Sequence, residues 1–171
     1  MYSFQFEYII REFDKSILNK GIYLSIVHAN KIPPHIGVVV DGKYFSLKAK
    51  GKDENVPVKE LLRILNRKNI VSLFVSISID LSNEKVLQVF DGFEKAIAYE
   101  SSCLSPVKQL FELGEGIQML GDLLNELAEK KLISLVYGCS VPDDYKGIPK
   151  YDINAIHERL EILASKSKQH V

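Results

Sequence analysis

A chain of 171 residues, 46% hydrophobic and 26% charged, has the size and composition of one globular domain with a proper core. Its 22 Lys and Arg match its 22 Asp and Glu, and a net charge of zero argues against a chain-wide nucleic-acid footprint, leaving only a local basic patch open. No run reaches the ~18 apolar residues of a membrane span. Residues Met1 to Glu7 lack the basic start and small-residue cleavage site of a secretory leader, so the expectation is a cytoplasmic protein. One domain is expected over 1–171, with a C-terminal tail frayed from about 166.

In chain order, Phe6, Ile9, Ile10, Phe13, Ile17 and Leu18 recur at helical spacing and predict a helix from Phe4 to about Asn19. Ile22 to His28 reads as a strand. Pro33-Pro34 is a stiff connection that feeds an extended segment. Asp41-Gly42, between Ile36-Gly37-Val38-Val39-Val40 and Lys43-Tyr44-Phe45-Ser46-Leu47, is a strong hairpin signal, because a type I′ turn needs positive φ at both central residues. With that turn Val40 faces Lys43, Gly37 faces Ser46 and His35 faces Lys48. His35, Gly37, Val39, Tyr44, Ser46 and Lys48 share one face, while Ile36, Val38, Val40, Phe45 and Leu47 form a core face.

Residues 50–55 read as a polar loop, and Pro57 opens a helix running to Arg67. Ile70 to Ile79 is a strand, and a helix beginning within Asp80-Leu81-Ser82-Asn83 is predicted to run to about Tyr99 despite Gly92. Ser105 is the expected N-cap and Pro106 the first residue of the next helix. Helices are expected over Ile117 to Ala128 and Asp152 to Ser165, with a strand over Leu132 to Tyr137 and a loop over Val141 to Lys150. The mixture, containing at least one antiparallel hairpin, predicts an α+β fold with helices on a small sheet.

Cys103 is the leading candidate nucleophile, because the unpaired N–H groups of a helix start stabilise a thiolate. Thiol chemistry also needs a base within hydrogen-bond reach. His35 opens a strand beside a glycine, with Tyr44 and Ser46 on its face as groups that would orient the imidazole. Cys139 at a strand end is a weaker alternative that reads better as packing. Two cysteines and four scattered histidines give no zinc spacing, so no metal and no cofactor is expected. His157, among Glu158, Arg159 and Glu161, reads as part of a solvated helix face.

The order of these features resembles the circularly permuted papain-like cysteine hydrolases and acyltransferases, including the lecithin:retinol acyltransferase-like branch. The likeness covers about residues 35–111: a histidine opening a strand-turn-strand, His35-Ile36-Gly37 to Tyr44-Phe45, then a cysteine heading a helix, Cys103-Leu104-Ser105-Pro106. It implies His35 as base, Cys103 as nucleophile and Ser46 near the place of the third, orienting residue. Serine stands there in place of the histidine often found in that branch. The expected activity is hydrolysis or transfer of an acyl group from an amide, ester or thioester. The alternative is a non-catalytic α+β protein that binds a partner through exposed helices or through the lysine-rich residues 48–68.

Overall fold

The structure, a computed structural model, describes residues 1–169, with side chains to residue 166. It is an α+β fold built on a six-stranded antiparallel sheet. In chain order the strands of this sheet are β2 (Ile22–Val27), β3 (His35–Val40), β4 (Lys43–Lys48), β5 (Gly51–Pro57), β6 (Ser72–Ile77) and β7 (Ile133–Cys139). They lie in the order β5-β4-β3-β2-β6-β7, and every neighbouring pair is antiparallel. A separate two-stranded ribbon joins β1 (Tyr2–Gln5) to β8 (Gly147–Pro149).

The hairpin forms as its residues require. Asp41 and Gly42 have φ of 46° and 82°, and Val40 pairs with Lys43, Val39 with Tyr44 and Val38 with Phe45. The Asp41 carboxylate also accepts the Gly21 N–H at 2.9 Å, which ties the turn to the start of β2.

Both faces of the sheet are buried. Buried and solvent-facing positions do not alternate along its central strand: all six residues of β2 are buried, as expected for a strand covered on both sides. One face carries Leu24, Val38, Phe45 and Val75 and packs against α2 (Asn83–Asp91), α3 (Leu104–Leu110) and α4 (Leu120–Glu129). The other carries Tyr23, Val39, Tyr44 and Phe74 and packs against α1 (Val58–Arg67) and a single 3-10 turn at Lys15–Asn19. The last helix, α5 (Asn154–Gln169), places Leu160 on the larger cluster. The tail expected to fray from about 166 falls on residues whose side chains, from 167, and backbone, from 170, lie outside the described residues.

Several elements depart from the sequence reading. The helix expected over 4–19 is instead β1, an irregular crossing segment and the 3-10 turn. Its apolar residues serve two cores: Ile9 belongs to the larger cluster, Leu18 to the smaller. A single helical face cannot reach both sides of a sheet. The chain therefore runs extended along β7, where Ile10 N–H donates to Val136 and its carbonyl accepts from Gly138 N–H. Residues 51–57, read mostly as a polar loop, are the edge strand β5, which carries the half-buried charges Lys52, Asp53 and Glu54. The helix expected to reach Tyr99 stops at Asp91 with Gly92 as its C-cap. Helix α3 begins at Leu104, earlier than expected, with Cys103 in the cap position and Pro106 still inside the first turn, where its missing N–H costs no bond.

Candidate functional site

His35 is the first residue of β3 and lies opposite Val27 of β2. Far along the sequence the chain returns to the same place. Ala96 N–H donates to the Lys48 carbonyl at 2.8 Å, fastening the irregular segment between α2 and α3 to the end of β4. Ile97 and Ser101 then close a tight loop, and the Ser102 hydroxyl accepts the Leu104 N–H while the Ser105 hydroxyl accepts the Ser102 N–H. These bonds deliver Cys103 at the head of α3.

His35 and Cys103 line one cavity of about 330 Å³. Burial pushes the Cys103 thiol up, and the backbone N–H groups of Ile36, Cys103 itself and Leu104 oppose the shift. Burial pulls His35 down to about 4; Asp53 opposes that, while Lys48 and His28 add to it. Its Nε2 is buried and has no hydrogen-bond partner among the described residues. Both shifts favour uncharged groups, so the pair rests as thiol and neutral imidazole.

Ser46 is fully buried, as its place on the face with His35 and Tyr44 requires. Its hydroxyl donates to Asp53 Oδ2 at 3.1 Å, and Lys48 Nζ meets Asp53 Oδ1 at 3.1 Å. The group whose charge favours protonated His35 is thus Asp53, paired with Ser46 across β4 and β5. The sequence reading missed Asp53 because it treated 50–55 as a loop. A charged residue at alternate spacing beside the hairpin was the available signal. Tyr44 is buried against the same group of residues, and burial raises its phenol well above its ordinary value. Tyr151 also lines the cavity; burial pushes its phenol up to about 12, and the Leu120 N–H opposes the shift.

The remaining candidates separate from this place. Cys139, at the end of β7, packs against the smaller cluster and does not line the Cys103 cavity, and both cysteines are free thiols. His157 is not merely solvated: its Nδ1 accepts the Tyr99 N–H at 2.9 Å and its ring stacks on Tyr99 at 4.3 Å. In the lysine-rich region, Lys52 donates to the Phe90 carbonyl at 2.8 Å and Arg63 lies 3.6 Å from Glu60. Among the described residues no three His, Cys, Asp or Glu side chains converge on a metal position, and no helix is long and apolar enough to cross a membrane.

Compared with known proteins, the chain matches no family model, no curated protein and no solved structure.

Proposed function

We propose that this chain is a cysteine-dependent acyl hydrolase or acyl-transfer enzyme of the permuted papain-like kind, with Cys103 as nucleophile and His35 as general base. The observation that carries the reading is the shared cavity: His35 and Cys103, 68 positions apart, both line it.

Because both groups are uncharged at rest, proton transfer accompanies attack. The Cys103 sulfur adds to the acyl carbonyl carbon while its proton passes to His35 Nε2, the buried nitrogen that lacks a partner. The backbone N–H groups at the start of α3 are the donors available to the resulting oxyanion. Collapse breaks the bond to the leaving group, which takes the proton from His35, and leaves a thioester on Cys103. Water or an acceptor alcohol, amine or thiol then attacks that thioester and gives its proton to His35; the C–S bond breaks, and the departing Cys103 sulfur takes the proton back from His35. Asp53 stabilises the transient imidazolium through its charge, and Ser46 and Lys48 hold the Asp53 carboxylate in place.

The test is acylation by an activated ester at pH 7.5, located by mass spectrometry, with Cys139 as the internal comparison. Cys103 should acylate about a hundredfold faster in the wild type than in His35→Gln, within the usual range for general-base assistance. Cys103→Ala should lose that adduct and keep any on Cys139. Acylation of Cys103 no faster than of a free thiol, and unchanged in His35→Gln, would sink the enzymatic reading in favour of a binding protein.

A further inference from the structure

The walls of the Cys103 cavity have an uneven character. Its interior is made by Leu47, Ala96, Leu104, Leu120 and Leu160, and its lining includes three cations, Lys48, Lys50 and Arg159, but no aspartate or glutamate. In a chain with 22 acidic and 22 basic residues this is a local separation of charge. Lys48 is committed to Asp53, whereas Lys50 and Arg159 are exposed and stand at the rim. The field extends beyond the wall: Lys31, Arg159 and Lys68 all act on His28, itself a lining residue, and add to the downward shift that burial imposes on it. Cations gathered at the mouth of an apolar recess attract anions and raise their local concentration there.

We infer that the cavity takes an amphiphilic anion, with its apolar body inside against Leu104 and Leu120 and a carboxylate, sulfonate or phosphate at the mouth beside Lys50 and Arg159. A volume of about 330 Å³ holds roughly ten water-sized groups at about 30 Å³ each, which suits a medium-length acyl chain or a two-ring aromatic body. For the reaction, and resting on the dyad reading above, the substrate class becomes an acyl ester or thioester carrying negative charge. Neutral esters of the same acyl group fit the recess and leave the rim uncompensated.

Two fluorescent probes with the same body separate charge from apolarity: 8-anilinonaphthalene-1-sulfonate and the neutral N-phenyl-1-naphthylamine. The wild type should bind the sulfonate at one site about tenfold more tightly than the neutral probe, and added salt should erode the difference. The double variant Lys50→Gln/Arg159→Gln should lose that preference while binding the neutral probe unchanged. Leu160→Trp, which fills the recess, should weaken both probes. Equal affinity of the two probes, a sulfonate affinity unmoved by the double variant, or probes indifferent to Leu160→Trp would each overturn the inference. Turnover of 4-(octanoyloxy)benzoate against phenyl octanoate, each normalised to its spontaneous hydrolysis, then tests the chemistry. The charged ester should be favoured about tenfold. If neither ester is cleaved while the probe preference holds, the ligand class stands and the Cys103–His35 reaction falls.

Discussion

His35 is kept neutral by its surroundings, and this has a measurable consequence for stability. Its folded value of about 4 lies below the ordinary 6.5, mainly because burial penalises the imidazolium. Between these values the unfolded chain binds a proton that the folded chain refuses. The stabilisation is therefore complete above pH 6.5 and is lost as pH falls toward 4. The lowered value corresponds to ~2–3 kcal/mol lost between pH 7.5 and pH 4.5 from this one group. Urea unfolding at the two pH values should show that loss in the wild type beyond what His35→Gln shows, since carboxylate titrations are common to both proteins. Identical pH dependence in the two would refute the buried neutral imidazole. The same residue illustrates what a sequence can convey. Its place at the head of a strand followed from Pro33-Pro34 and the Asp41-Gly42 turn, both local signals. That Asp53 acts on it did not, because the pairing of β4 with β5 joins residues of low strand propensity through a ladder that only the assembled sheet supplies.

Within the β3–β4 hairpin, Gly37 is the residue that permits the close approach on which the site depends. A methyl group there would lie 2.5 Å from the Phe45 carbonyl oxygen, 2.9 Å from the Tyr44 ring and 3.0 Å from the Ser46 Cβ. The first contact is with backbone and cannot be relieved by a rotamer change. Gly37→Ala should cost ~1–3 kcal/mol, the usual penalty for overpacking a tight interior. It should also disturb Ser46 and thereby the carboxylate of Asp53. Thermal unfolding reads the first effect and the NMR titration of His35 the second. A fully stable Gly37→Ala protein with an unchanged His35 would show that β4 shifts freely, contrary to the packing described. Strands β2, β3, β4 and β6 and helices α1 and α4 were legible because their apolar periods are consistent over whole elements. The N-terminal segment was not, since its helical spacing of Phe6, Ile9, Phe13 and Ile17 arises from a chain that changes faces partway along. Nor was β8, three residues long and within a stretch rich in turn formers.

The six-stranded sheet and its two layers of helices explain how a cysteine and a histidine 68 residues apart come to line one cavity, but the molecule also closes over a longer interval. Ser3 and Ile148 are 145 positions apart, and the Ser3 hydroxyl reaches the Ile148 carbonyl at 3.4 Å. Around this point β1 pairs with β8, Gly121 of α4 fits against Ser3, and Phe4 packs on the larger cluster. His35 and Cys103 are both present in the chain well before β8 is. At synthesis rates of ~5–20 residues per second, β1 waits about 7 to 30 s for the strand that completes its pairing. Over that interval Phe4 and an unpaired strand edge are available to other molecules, which makes this ribbon the part of the nascent protein most in need of shelter.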